Sequence, residues 1–248
     1  MQSPGPQSLR GRHVLVTGAN GGLGEQFVAQ GLERGAAKVY AAARSTRSWD
    51  DPRVVPLDLD LTDPDAPARA VAPAPDVDLL INNAGIAPAG DTITGPEEEL
   101  RRIFETNFFG TLRVSNAFAP VLAANGGGTL INILSAAAWV SMPTGYAASK
   151  AAMWSATNAL RLQLSGQGTQ VVGLLVGMID TPMTAGWDVP KVTAASVVAQ
   201  AYDAVGDGSL EVLADDTTRD LKTRLSTPAE ELYPWLGEQI AALTATGR

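Results

Sequence analysis

Short apolar runs rich in β-branched residues alternate along this chain with longer stretches of helical period. His13–Thr17, Lys38–Ala43, Arg53–Leu57, Asp78–Asn82, Thr129–Leu134, Gln170–Val176 and Leu210–Ala214 read as strands. Between them, Gly22–Arg34, Pro96–Leu122, Gly145–Leu164, Ala194–Val205 and Ala229–Leu243 read as helices, and the proline-broken stretch Asp63–Ala72 as a short, irregular one. Apolar strands separated by crossovers of helical length belong to a parallel sheet covered on both faces. The expected fold class is therefore α/β, with a doubly wound, mostly parallel seven-stranded sheet and helices on both sides. Residues 1–10 carry the Pro and Gly content of a loose tail, and 11–248 read as a single domain with no repeat of fixed period.

Composition narrows the chemistry. The 248 residues are 45% hydrophobic, enough for one large core. A formal charge of −8 without any cluster of Lys or Arg argues against nucleic acid or an anionic membrane as partner. There is no cysteine, hence no thiolate or disulfide, and His13 is the only histidine. Ser-His-Asp hydrolysis and most zinc chemistry are thereby removed, and no metal site is expected. No run approaches the ~18 apolar residues of a membrane span, and the N-terminus lacks the basic and apolar regions of a secretion signal. A cytoplasmic location is the expectation.

The first strand runs into Thr17-Gly18-Ala19-Asn20-Gly21-Gly22-Leu23-Gly24 and then a helix. Such a turn presents backbone N–H groups where the helix dipole favours negative charge, which suits the pyrophosphate of a dinucleotide on a Rossmann-type sheet. Gly18, Asn20, Gly22, Leu23 and Gly24 are its candidate cofactor residues. Gly126-Gly127-Gly128 follows a helix and precedes a strand, the wrong order for cradling phosphate. The second strand ends in Ala41-Ala42-Ala43-Arg44, with no carboxylate for a ribose 2′-hydroxyl. A guanidinium there can pair with a 2′-phosphate, so Arg44 points to NADP(H) in preference to NAD(H); the alternative is a solvated loop arginine.

Downstream, Ser135 ends the fifth strand at its carboxyl edge, where ligands bind in open α/β sheets. Tyr146 and Lys150 stand at i and i+4 of a helix and share a face. A free phenol titrates near ~10, and a neighbouring ammonium is expected to lower that value toward useful acid/base chemistry. Tyr146 would then exchange a proton with a carbonyl oxygen as hydride reaches the carbon from a nicotinamide. Asn107, unfavourable inside a helix, is a further candidate beside the bland reading of a solvated or helix-kinking residue.

Taken together, these segments resemble the short-chain dehydrogenase/reductase family from about Gly11 to Met183. The likeness rests on Thr17–Gly24, Asp60-Leu61-Thr62-Asp63, Asn82-Asn83-Ala84-Gly85, Asn107, Ser135, Tyr146-x-x-x-Lys150 and Gly177-Met178-Ile179-Asp180-Thr181. The resemblance implies that Asp60 and Leu61 bind the adenine, that Asn83, Ala84 and Gly85 line the ribose and sheet edge, and that Ile179 and Thr181 hold the carboxamide. It implies that Tyr146 and Lys150 touch the nicotinamide ribose side, and that Asn107 holds a water linking Lys150 to solvent. The activity implied is that of a carbonyl reductase or alcohol dehydrogenase acting on a small molecule, in a homodimer or homotetramer. Rivals are a dinucleotide sensor without catalysis on the same fold, and an epimerase or dehydratase.

The chain departs from the family pattern in three places. Ser135 and Tyr146 stand eleven positions apart, two fewer than usual, which could widen the pocket entrance, displace Tyr146 from Ser135, or do neither. Val176 stands where proline is usual, and the stretch after Met183 is too brief for a large helical lid. Trp139, Met142, Met183 and Trp187 are candidates for an apolar pocket, with ordinary packing as the alternative. No cation is clearly placed to hold an anionic substrate, which favours a neutral one.

Overall fold

The computed structural model describes residues 9–88, 93–140 and 142–245, with side chains to residue 238. The elements in chain order are β1 (His13–Thr17), α1 (Leu23–Glu33), β2 (Lys38–Ala43), β3 (Val54–Asp58), α2 (Ala66–Val71), β4 (Leu79–Asn82), α3 (Glu97–Phe104), α4 (Thr111–Ala124), β5 (Thr129–Ile133), α5 (Gly145–Leu164), β6 (Gln170–Leu175), β7 (Ile179–Asp180), β8 (Val192–Thr193), α6 (Ala194–Asp207), β9 (Glu211–Leu213), α7 (Asp216–Thr223) and α8 (Ala229–Ala245). Seven of the strands form one sheet in the order β3-β2-β1-β4-β5-β6-β9, every pair parallel. The order reverses between β1 and β4, which opens a crevice at their carboxyl ends.

Each sheet face buries its own layer. Val14, Val16, Ile131 and Val172 pack on one side with α1 and α6, where Phe27 and Tyr202 meet edge to face at 5.5 Å. Leu15, Leu80, Leu130 and Val171 pack on the other with α2, α4 and α5. Both faces being dry explains why the strands read as continuous apolar runs. A buried polar chain crosses the second interface. Asn82 Nδ2 donates to Ser115 Oγ at 3.0 Å and Asn132 Oδ1 at 2.9 Å, and Asn132 Nδ2 donates to Thr157 Oγ1 at 2.9 Å. It docks α4 and α5 in a fixed register on the sheet, because a slip would leave buried polar groups unpaired.

Several boundaries and elements differ from the sequence expectation. Leu9 is fully buried and its N–H donates to Arg34 O at 3.1 Å, so the domain starts before Gly11; residues 1–8 of the expected tail lie outside the described residues. Pro67 sits in the first turn of α2, where a missing N–H costs nothing, so that helix is regular though short. The helix expected over Pro96–Leu122 is interrupted by a π-helical segment, Glu105–Gly110, centred on Asn107. The two-residue ladder of β7 and β8 and the polar helix α7 were not expected; α7 is held by an Asp215 cap rather than by an apolar stripe. On α8, Leu232 and Leu236 are buried, while the side chains of Ile240 and Leu243 lie outside the described residues.

Candidate active site

A cleft of about 630 Å³ opens at the carboxyl edge of β1, β4 and β5. Its lining brings together Gly18, Asn20, Gly22, Leu23, Arg44, Asp60, Leu61, Asn83, Ala84, Gly85, Ser135, Tyr146, Lys150, Ile179, Thr181 and Met183. Gly24 stands behind it: a Cβ there would meet Gly18 O at 2.1 Å, so no other residue lets α1 start so close to β1. Gly18 has φ +67° and faces Ala84, whose Cα would be 3.0 Å from an added Cβ. The turn is therefore built for close backbone approach, and a pyrophosphate fits the concavity it leaves.

The supports of this turn include residues that sequence reading had not singled out. Thr17 Oγ1 accepts from the backbone N–H groups of Asn83 and Ala84, each at 3.0 Å. The Asn83 amide donates to Thr17 O at 2.9 Å, so its side chain locks β1 to β4 and it faces the cleft with its remaining surface. Asn20 Nδ2 donates to Ser45 O at 2.6 Å, while its Oδ1 is buried without a protein partner. An orphan acceptor at that point fits a ligand that brings a hydroxyl donor. Arg44 is exposed at the rim, and Arg47 beside it is engaged with Glu25 at 2.9 Å and stacked 4.0 Å over Trp49. Asp60 Oδ1 accepts from the Thr62 N–H at 2.9 Å and the Thr62 hydroxyl at 2.8 Å, holding the Leu61 loop against the cleft. Arg102 of α3 and Thr106 of the π-helical segment also line it, a contribution invisible to motif reading; Arg102 is paired with Glu99 at 2.8 Å.

At the Ser135 end of the cleft, Tyr146 and Ser135 line the same wall, with the serine hydroxyl near enough to act on the phenol. The short connection between them therefore does not displace the tyrosine. It is taken up by a single 3-10 turn, Ala136–Ala138, and by Thr144, whose Oγ1 accepts from Ala147 N at 3.2 Å to start α5. Ser135 Oγ also accepts from Ala137 N at 3.1 Å, which orients the hydroxyl.

Lys150 Nζ donates to Ile133 O at 2.7 Å and lies 5.7 Å from the Tyr146 ring centroid. Burial pushes the ammonium down to about 8. The expected lowering of the tyrosine by its lysine neighbour is not found: burial raises the Tyr146 phenol above its ordinary value, and the Ser135 hydroxyl opposes this only in part. Desolvation outweighs the ammonium because Lys150 is directed at a backbone carbonyl rather than at the phenolic oxygen.

Asn107 is buried within the π segment. Its Oδ1 accepts from Ile86 N at 2.8 Å, and its Nδ2 donates to Ile86 O at 2.9 Å and to Ser149 Oγ at 3.1 Å. Ser149 in turn donates to Tyr146 O at 2.7 Å. The helix widening thus lets one side chain tie the β4 loop to the turn that presents Tyr146 and Lys150, and neither solvation nor a bare kink describes it. Ser149 was missed because a small residue inside a helix carries no pattern of its own.

Of the expected pocket residues, only Met183 lines the cleft, and it is 52% exposed. Trp139 turns the other way, edge to face with Trp154 at 6.4 Å and beneath Lys222 at 4.8 Å, because the helical packing behind Ser135 offers it more apolar surface than the cleft does. Met142 and Trp187 are exposed and stand apart from the lining. After Met183 there is one 3-10 turn, Pro182–Thr184, and no helical lid before β8.

A family model described as short chain dehydrogenase matches residues 12–190. The chain belongs to the short-chain dehydrogenase family. This dehydrogenase is 31% identical to 1-deoxy-11-beta-hydroxypentalenate dehydrogenase of Streptomyces exfoliatus, over 91% of this chain and 95% of the relative. It is 28% identical to ketoacyl reductase HetN of a Nostoc species, over 93% and 91% of the two chains. Among solved structures, a short chain dehydrogenase from Burkholderia cenocepacia in complex with NADP superposes with a TM-score of 0.86 at 36% identity, covering 92% of this chain and 98% of the other. The enzyme is an oxidoreductase. No helix among the described residues is long and apolar enough to cross a membrane, and those residues hold no cluster of metal-binding side chains.

Proposed function

We propose that this dehydrogenase interconverts a neutral ketone or aldehyde and its alcohol, with NADP(H) preferred over NAD(H) and Tyr146 as the acid and base. The observation that supports it most is the convergence of Ser135, Tyr146 and Lys150 at the same cleft as the glycine turn. The bound nicotinamide supplies hydride chemistry. The side chains supply the rest. Ser135 and Tyr146 hydroxyls hold the carbonyl oxygen between two donors, and the Tyr146 phenol, kept protonated by burial, gives its proton as charge develops on that oxygen. Lys150 adds a buried positive charge 5.7 Å from the Tyr146 ring, and Asn107 with Ser149 fixes the helical turn that presents both residues. Asp60 and Leu61 would hold the adenine of a bound dinucleotide, Asn83 to Gly85 its ribose, and Ile179 and Thr181 its carboxamide.

Arg44 underlies the cofactor preference, being a rim guanidinium next to a strand end without a carboxylate. The Burkholderia relative's complex with NADP supports the same choice. Arg44→Ala is expected to raise the KM for NADPH about tenfold and leave the KM for NADH within twofold, since one charge-assisted pair to phosphate is lost. A wild-type enzyme with a tenfold preference for NADH would refute the assignment. The function as a whole is tested by NADPH oxidation against a panel of ketones and aldehydes; binding without turnover would make the protein a dinucleotide sensor. A cytoplasmic homodimer or homotetramer completes the reading. Light scattering decides the assembly.

A further inference from the structure

Beyond β6, the chain forms one wall of the cleft: Gly177, Ile179 and Thr181 all line it. Thr181 lies against the glycine turn, where a Cβ on Gly22 would stand 3.5 Å from its side chain. The far end of this wall is tied by backbone, with Val192 N donating to Met178 O at 2.9 Å and Ile179 paired with Val192. The near end has Val176, whose φ is not restricted by a ring. There the Gly177 amide donates to Asp215 Oδ2 at 2.5 Å, while Asp215 Oδ1 accepts from Thr218 N at 2.7 Å. Asp215 is only 8% exposed.

We infer that Asp215 is a positioning residue for the cofactor, setting the angle at which the Gly177–Thr181 wall meets the cleft. The inference rests on the functional reading above. A buried carboxylate that accepts from two amides makes short, charge-assisted bonds and has little freedom to move. Its helix is anchored by side chains as well. Leu221 packs with Ala136 and Val140, and Lys222 spans from Glu211, at 2.7 Å, to the ring of Trp139. Thus α7 rests on the segment that follows Ser135 and grips Gly177 at its start. It relates the wall on the nicotinamide side to the residues that handle the proton. A capping role for Asp215 accounts for the Thr218 bond alone.

The two roles separate on substitution. A serine can still cap α7, but its shorter side chain carries one oxygen and cannot also hold Gly177. Asp215→Ser should therefore weaken NADPH binding about tenfold, with thermal stability within a few degrees of wild type. Binding within twofold of wild type would overturn the inference. A measurement on the unmodified enzyme guards against a variant that does not fold: in hydrogen exchange without cofactor, the Gly177 amide should be protected. Exchange at the rate of an open amide would equally overturn it. A wild type that fails to bind NADPH would refute the functional reading instead, a result that the Gly177 exchange measurement cannot produce.

Discussion

Tyr146→Phe is expected to lower turnover by roughly a thousandfold, the scale of a general acid removed from its site, and to leave NADPH affinity within severalfold. The phenolic oxygen is the group that stands beside Ser135 in the cleft. Its loss leaves the Ser135 hydroxyl as the remaining donor to the substrate oxygen. That hydroxyl has no neighbouring group to replenish its proton. The ring stays, so packing of α5 and the shape of the cleft should be kept. Single-turnover kinetics with saturating NADPH and a reactive ketone check the rate, and fluorescence titration checks the binding. Near-normal turnover would remove Tyr146 from the acid/base role.

Lys150→Met should abolish nearly all activity and also change the pH dependence of stability, with a sign that follows from burial. Below pH 8 the lysine is charged in both the folded and the unfolded chain. Between about 8 and the ordinary 10.5, the folded chain has released the proton while the unfolded chain still holds it. The unfolded state binds more protons there, so the contribution of Lys150 to stability rises with pH through that window and is complete above 10.5. The rise amounts to something on the order of 3 kcal/mol. Denaturant unfolding of the cofactor-free enzyme at pH 7.5 and at pH 10.5 should show wild type gaining on Lys150→Met by this order. The comparison cancels groups remote from Lys150 that titrate in the window. A stability difference independent of pH would mean that Lys150 does not experience the burial described. In activity, the methionine variant should fall at least about a hundredfold, because no positive charge remains beside the Tyr146 ring.

Much of the cofactor end was legible because the signals are local. A glycine is required wherever φ is positive or a Cβ would strike backbone, and Gly18 and Gly24 meet those conditions through neighbours within a few residues or on the adjoining strand. Other features depended on contacts between distant segments. Thr17, Ser149 and Arg102 belong to types that are common everywhere, and only their partners mark them. The π segment at Asn107 reflects the pull of Ile86 from another loop, so a helical period alone reads through it. Trp139 stayed open between pocket and packing because an aromatic ring near a site suits either, and packing was decided by Trp154 and by α7, a polar helix without an apolar stripe.

By itself the amino-acid order determined the parallel sheet, the glycine turn, the absence of thiols, and the common helical face of Tyr146 and Lys150. These follow from periodicity, residue type and spacing, which act over one or two turns of chain. The tertiary structure alone decided that a shortened loop still sets Tyr146 beside Ser135, that Asp215 reaches Gly177, and that burial raises the phenol while lowering the ammonium. Those outcomes come from desolvation and long-range hydrogen bonding, whose strength depends on what surrounds a group in space and not on its neighbours in sequence.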